Sequence, residues 1–210
     1  MNIFRFLALN RGEILEAVLQ HMYLVGIAML LAVIIGVPLG VLLTRRPALE
    51  KTVLGSANII QTIPSLALFG FLLPAPWIGE RADRLAILAL MLYALLPLIR
   101  NTYTGIKGVD RAVVEAGRGM GMTDGQLLWQ VELPLALGVI IAGIRVATVI
   151  SIGLATIAAA IGAGGLGEYI FRGLAMVNNQ LILAGAIPAA ALALSADLIL
   201  GWLEKRLQPR

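Results

Sequence analysis

The sequence predicts an all-α polytopic membrane protein with about five transmembrane helices, and three observations predict it. The chain is 60% hydrophobic and 13% charged, whereas soluble domains are about half apolar and about a quarter charged. Long stretches carry no charge, and 210 residues hold five or six spans at about 20 residues each. Lysine and arginine are concentrated in alternate connecting segments, which is typical of membrane proteins with a fixed orientation.

The first span is expected at 22–43, because this stretch is apolar, uncharged and long enough to cross the hydrocarbon core. The segment Ile3–Leu19 mixes apolar and charged residues, so we expect an interfacial helix or an extension of the first span. A second uncharged stretch predicts a span at 53–74. Pro64 interrupts it near its middle and predicts a kink.

The third span is expected at 85–100, a short apolar stretch that cationic side chains at both ends extend by snorkelling. The fourth is expected at 133–161 and the fifth at 181–203. Each of these two carries one ionisable residue, Arg145 in the fourth and Asp197 in the fifth.

Five spans place the three segments richest in lysine and arginine on one face, which the positive-inside rule assigns to the cytoplasm. The N-terminus is then outside and the C-terminus cytoplasmic. The three segments contain Arg45, Arg46 and Lys51, then Arg100, Lys107, Arg111 and Arg118, and finally Lys205, Arg206 and Arg210. The net charge of +4 follows from this topology, so it does not indicate a nucleic-acid partner.

Several kinds of chemistry are excluded by residue type. The chain has no cysteine and one histidine, His21, so no disulfide, thiolate nucleophile or histidine cluster is available. No P-loop sequence occurs, so the chain does not bind ATP through that motif. The run 162–167 satisfies the dinucleotide pattern G-x-G-x-x-G, but it ends a membrane span instead of following a strand. We expect a flexible outer turn or hinge there.

The long polar segment 101–132 is expected to fold on the cytoplasmic side. Asp110 is a candidate N-cap for one helix, and Thr123 or Asp124 for a second helix, with Gly121 in the turn between them. Composition alone leaves an amphipathic loop on the membrane surface as an alternative.

The spacing of residues in this loop is more informative. Glu115, Ala116 and Gly117 are followed by three residues, Gly121, nine residues, and Val131-Glu132-Leu133-Pro134. This pattern resembles the E-A-A, three, G, nine, I-x-L-P loop of permease subunits of binding-protein-dependent ABC importers, with departures at Gly117 and Val131. The resemblance implies a coupling helix that docks on a cytoplasmic ATPase through Glu115, Ala116, Gly117, Arg118 and Gly121.

Three further runs, 61–68, 93–103 and 161–167, resemble the osmoprotectant branch of these permeases, which serves glycine betaine, carnitine or choline. The resemblance implies a single domain over 1–210 with the type I importer (MetI-like) fold in a bacterial cytoplasmic (inner) membrane. It also implies three partners: an ATPase dimer that binds ATP and Mg, a second permease subunit (identical or a sister), and an extracytoplasmic substrate-binding protein. This chain itself holds no cofactor.

Import of another small polar solute, such as an amino acid, is one alternative. An ion-coupled secondary transporter is a second, although it would need inverted repeats and several intramembrane acidic sites. A membrane enzyme is disfavoured because no cluster of nucleophile, base and metal ligands assembles.

Inside the spans, Arg145 and Asp197 lie at similar depths, and ionisable residues in spans usually find a partner. We therefore expect them to pair, either as a structural tie or in the substrate path. Candidate substrate-path residues are Gln61, Thr62, Pro64, Ser65 and Tyr93. Aromatic faces that could hold a quaternary ammonium are those of Tyr93, Tyr103, Tyr169 and Phe171, whereas Trp129 is expected to pack in a core. Small residues along the fourth span suggest a pore or dimer contact: Gly138, Ala142, Gly143, Ala147, Ser151 and Ala155.

Overall fold

The structure is a computed structural model that describes residues 3–74 and 81–207. The described residues form helices and connecting turns without strands, which confirms the all-α prediction. Arg210, counted above among the C-terminal cations, lies outside the described residues. The α-helices are α1 (Ile3–Leu9), α2 (Arg11–Arg45), α3 (Glu50–Thr62), α4 (Ser65–Leu72), α5 (Ala82–Lys107), α6 (Arg111–Gly119), α7 (Asp124–Leu127), α8 (Leu133–Ala158), α9 (Gly167–Ala175) and α10 (Asn179–Leu207).

Among the described residues, four continuous helical stretches are long and apolar enough to cross a membrane: Arg11–Arg45, Ala82–Lys107, Asp124–Ile161 and Asn179–Leu207. The expected first span lies inside α2, whose 35 residues extend about 52 Å. The amide side chain of Asn10 donates to the Phe6 carbonyl at 2.9 Å, where α1 ends and α2 begins. The segment Ile3–Leu19, expected as one helix, is therefore divided between α1 and the first turns of α2. These first turns lengthen the first span.

The expected second span is not one straight helix. Helices α3 and α4 are bent by 101° at the break between them, because Ile63 is extended at ψ 128° and Pro64 has no N–H to continue the ladder. The pair nevertheless carries the chain across the bundle. Arg45 and Lys107 line one cavity, so α2 and α5 end at the same face, and the segment between them must return to the opposite face.

Helix α5 is longer than the sequence predicts. The helix continues past Arg100 and ends at Lys107, where Gly108 closes the last turn through a hydrogen bond to the Thr104 carbonyl. Snorkelling is therefore not needed to lengthen this span. The first seven residues of the expected loop 101–132 are helical.

Close packing of α5 between α2 and α8 positions the bundle. A Cβ on Gly40 of α2 would lie 2.5 Å from Thr102 Cβ, and one on Gly143 of α8 would lie 2.6 Å from Asn101 Cβ. The small residues of the fourth span are therefore largely buried inside this chain: Gly138, Gly143, Ala147, Ser151 and Ala155. The expectation that this stripe forms a pore or dimer contact is wrong, because α5 packs against Gly143 and α2 packs against Ser151.

Candidate functional site

Helix α6 begins and ends as the sequence predicts. Asp110 caps it, its Oδ1 accepting a hydrogen bond from the Ala112 backbone N–H at 2.9 Å. Gly121, at φ +83°, reverses the chain after α6 in the left-handed conformation that glycine adopts without strain. The segment is thus a short helix followed by a sharp turn.

Helix α7 starts from a capping box at Thr123. The Gln126 backbone N–H donates to Thr123 Oγ1 at 3.3 Å, and the Thr123 backbone N–H donates to Gln126 Oε1 at 2.8 Å. The next turn, Leu128–Glu132, is a π-helix in which Leu133 donates to the Leu128 carbonyl. Pro134 follows immediately and cannot donate, so α7 continues into α8 through this widened turn. We call Arg111–Glu132 the coupling unit.

The exposed surface of the coupling unit carries the motif residues. Glu115, Ala116 and Arg118 are exposed, whereas Gly117 is buried against the side chains of Leu127 and Met122. Among the ion pairs of the described residues, none involves Glu115 or Arg118. These side chains are available to a partner.

Two large apolar side chains extend this surface. Met120 is 77% exposed and Trp129 is 72% exposed. The expectation that Trp129 packs in a core is wrong, because Leu127 and Glu132 occupy the buried side of this helix. Trp129 follows Leu127 by two positions and therefore points to the opposite side.

The coupling unit is tied to the end of α2 by an ion pair between Arg45 and Glu132. Arg45 Nη1 donates to Glu132 Oε1 at 3.2 Å, and Nη2 contacts Oε2. Glu132 is only 5% exposed. Sequence analysis missed this pair, since 87 residues separate its members and no local pattern relates them.

The break between α3 and α4 is held by Tyr93. Its hydroxyl donates to the Ile63 carbonyl, and the tyrosine is 7% exposed, so its ring is packed and its hydroxyl satisfies a carbonyl beside the break. The structure therefore brings Tyr93 to Ile63, in the middle of the segment that contains the four predicted path residues. Of these, Thr62 and Pro64 are exposed, and Gln61 and Ser65 are half-buried.

Arg145 and Asp197 are brought together across α8 and α10. Arg145 Nε donates to Asp197 Oδ1 at 2.6 Å and Nη2 donates to Oδ2 at 2.8 Å. Glu204 joins them, accepting from Arg145 Nη1 at 3.2 Å. Gly201 lies against the guanidinium, where a Cβ would be 3.1 Å from Arg145 Cζ. The spacing of 197, 201 and 204 places the three on one helical face, a signal that would have added Glu204 to the expected pair.

The glycine-rich turn at 162–166 is packed against α2 and is not a free hinge. Gly162, Gly164 and Gly165 all have positive φ. The Gln20 amide holds the turn from both sides, donating to the Ala163 carbonyl at 3.3 Å and accepting from the Gly165 N–H at 3.0 Å. A helix, α8, precedes the turn, so the βαβ context of a dinucleotide site is missing there.

The candidate aromatic side chains do not converge on one cage. Tyr103 donates to Glu50 at 2.6 Å and Tyr169 donates to Glu13 at 3.3 Å, while Tyr93 is engaged at the helix break. Burial, and then the Glu13 carboxylate, raise the pKa of Tyr169. The three tyrosine hydroxyls thus have separate structural partners.

A bundle of long apolar helices with one broken span and a short helical unit exposed at one end defines a polytopic membrane protein. The family model for the binding-protein-dependent transport system inner membrane component matches residues 32–209, and the chain belongs to this family. The resemblance inferred from the Glu115 motif is thereby confirmed, and the chain is a multi-pass membrane protein of a transport family.

Curated relatives align over nearly the whole chain. The choline transport system permease protein OpuBB of Bacillus subtilis (strain 168) and the carnitine transport permease protein OpuCB of Listeria monocytogenes are each 46% identical, covering 99% of this chain and 94% of the relative. The osmoprotectant import permease protein OsmW of Salmonella typhimurium is 45% identical, covering 99% of this chain and 96% of that protein.

Solved structures share the fold. An inward-facing MetNI methionine ABC transporter chain matches with a TM-score of 0.83 at 22% identity, covering 93% of this chain and 96% of that chain. A chain of an amino acid ABC transporter with histidines matches with a TM-score of 0.78 at 17% identity, covering 98% and 99%. The expected MetI-like fold is confirmed.

Proposed function

We propose that this chain is the permease subunit of an ATP-driven importer that moves a compatible solute, namely glycine betaine, choline or carnitine, into the cytoplasm by alternating access. The observation that carries this proposal is the similarity, at 45–46% identity over 98–99% of the chain, to permeases named for choline, carnitine and glycine betaine transport. It favours this solute class over an amino acid and over an ion-coupled mechanism.

The ATPase acts on the permease through the coupling unit. A separate ATPase dimer binds ATP and Mg. This dimer contacts the exposed surface formed by Glu115, Ala116, Arg118 and Gly121. The capped ends of α6 and α7 make this unit rigid, so movement of the ATPase is passed on as a rigid-body displacement. The Arg45–Glu132 pair extends that displacement from α8 to α2.

The orientation of the chain in the membrane is inferred from the distribution of lysine and arginine. Arg45, Lys107 and Arg111 lie around one cavity at the coupling-unit end of the bundle, and the positive-inside rule assigns that end to the cytoplasm. The start of α2 is then outside, where the glycine turn held by Gln20 faces a substrate-binding protein. A second permease subunit, identical or a sister, completes the pathway.

The two global states of alternating access differ at the helix break. Helices α3 and α4 meet at 101°, and the sharp bend allows each to move relative to the other. Broken helices are found at membrane depth where they line a cavity, which supports Gln61, Thr62, Pro64 and Ser65 as path residues. Tyr93 holds their backbone in one arrangement.

Uptake by the reconstituted complex tests the proposal. The permease, its ATPase and its binding protein are placed in proteoliposomes, and uptake of labelled glycine betaine, choline, carnitine and histidine is measured with ATP or ADP inside. We expect ATP-dependent uptake of at least one of the first three, and none with ADP. Uptake of histidine alone, or uptake of any solute without ATP, would overturn the proposal.

A further inference from the structure

Arg145 and Asp197 lie at membrane depth, and Arg145 also contacts Glu204 near the end of α10. Arg145 is 12 positions after the start of α8 and Asp197 is 10 positions before the end of α10, which is about 18 Å and about 15 Å along the helices. Glu204 is seven positions further along α10, about 10 Å, and three positions before the end of the helix. We call Arg145, Asp197 and Glu204 the charged triad.

The triad is not enclosed by this chain. The side chains of Arg145 and Asp197 are 35% and 38% exposed, and that of Glu204 is 20% exposed. On the neighbouring face of α10, by contrast, Leu194 and Leu198 are 64% and 71% exposed. An apolar face suits lipid or protein, whereas charged side chains in spans almost always face a protein interior or a water-filled cavity.

The net charge of the triad distinguishes a dry protein interior from a water-filled cavity. One guanidinium faces two carboxylates, so the triad carries an excess of one negative charge. Among the described residues, no ion pair joins Lys205 or Arg206 to the triad. The Arg206 guanidinium lies 4.0 Å from the ring centroid of Trp202, on the other side of the helix from Glu204. An unbalanced carboxylate in a dry contact between permease subunits is costly, whereas water solvates it.

We propose that the α10 face carrying Asp197, Gly201 and Glu204, together with Arg145, lines the water-filled translocation pathway and favours cationic osmolytes over zwitterionic ones. The inference rests on the proposed function. Choline carries one positive charge, while glycine betaine and carnitine are zwitterions with no net charge. A channel wall with excess negative charge raises the local concentration of the cation, and low-dielectric walls strengthen that effect.

Accessibility tests the first half of the proposal, and the absence of cysteine from the sequence makes a clean background. Leu200→Cys lies between Asp197 and Glu204 on the triad face, and Leu198→Cys lies beside Leu194 on the apolar face, about 3 Å away along the helix. Each is reconstituted with partners whose thiols are blocked and then treated with a cationic (trimethylammonium) or an anionic (sulfonate) methanethiosulfonate. We expect Leu200→Cys to react faster than Leu198→Cys, and faster with the cationic reagent. Reaction of Leu200→Cys at or below the rate of Leu198→Cys would overturn the assignment.

Solute selectivity tests the second half. Glu204→Gln removes the excess charge while keeping the Arg145–Asp197 pair, and with the binding protein unchanged we expect the ratio of maximal choline to glycine betaine uptake to fall about fivefold. Glu204→Asp should retain the wild-type ratio, and Glu16→Gln, which removes a carboxylate from the exposed surface of α2, should leave it unchanged.

The outcomes separate the two proposals. Failure of the wild-type complex to take up glycine betaine, choline and carnitine alike counts against the proposed function. Normal uptake with an unchanged ratio in Glu204→Gln, or an equal loss of both solutes, counts against the role of the triad. If Glu204→Gln does not assemble, the labelling rates at positions 198 and 200 still decide the exposure of this face.

Discussion

Arg45, the last residue of α2, and Glu132, in the π-turn before α8, form a bidentate ion pair at the end of the bundle that carries the coupling unit. Glu132 is nearly buried, while the Arg45 side chain is one-third exposed. The coupling unit is therefore attached to two transmembrane helices, one through the chain and one through this pair. Removal of one partner would leave a buried charge uncompensated.

Arg45→Met should destabilise the permease by about 2 kcal/mol, less than for a fully buried pair because Arg45 is partly in solvent. It should also lower ATP-driven uptake, because α2 loses its tie to the coupling unit. Thermal melting of the solubilised complex and uptake at matched expression measure both effects. Arg46→Met, at the exposed neighbour, is the control. An equal loss in both variants would contradict the role of the pair, and the charge swap Arg45→Glu with Glu132→Arg should restore part of the loss.

Tyr93→Phe should lower both stability and uptake. The variant keeps the ring but leaves the Ile63 carbonyl without its donor, at a cost of about 1–3 kcal/mol for an unsatisfied buried group. Tyr23→Phe, at a tyrosine that is 54% exposed on α2, is the matched control. Melting temperature and uptake rate are compared for the two variants. Identical behaviour would show that the hydroxyl of Tyr93 does not hold the break.

Gly40→Ala should push α2 away from α5. The new Cβ would lie 2.5 Å from Thr102 Cβ and 2.9 Å from the Ile99 carbonyl oxygen, and overpacking of this kind costs about 1–3 kcal/mol. Gly26→Ala, on the same helix with no atom within 4 Å of its Cβ, should be neutral or slightly stabilising. Thermal unfolding in detergent distinguishes them. A loss in Gly26→Ala as large as in Gly40→Ala would argue against close packing as the cause.

Gly121→Ala should uncouple the permease from its ATPase. At φ +83° an alanine costs about 1–2 kcal/mol, and relief of that strain would reorient α6 on the ATPase surface. Gly119→Ala, with open space around its Cβ, is the control. ATPase activity stimulated by the loaded binding protein is the readout. Stimulation retained in Gly121→Ala would contradict the coupling role of the turn.

Local signals allowed much of this architecture to be predicted. The cap at Asp110, the turn at Gly121 and the helices around the long apolar runs each depend on neighbours within a few residues, so the sequence contains their causes. The contact of Arg145 with Asp197 was also predictable, because two charges at similar depth in an apolar span have few other partners.

Features set by distant contacts could not be predicted in the same way. Pro64 predicts an interruption, but the 101° bend depends on how α4 packs against α5. Small residues on α8 predict close packing without identifying the partners, which are α5 and α2 of the same chain. The Arg45–Glu132 pair joins residues that only the folded bundle brings together.

Helix α2 contacts a different part of the fold at each of its ends. Gln20 holds the glycine turn, and Arg45, at the other end of the same helix, holds the coupling unit. They are 25 residues apart, about 38 Å along the axis, and α2 is continuous between them despite Pro38. A tilt of α2 by about 10° about its coupling-unit end would therefore displace the glycine turn at its other end by about 7 Å.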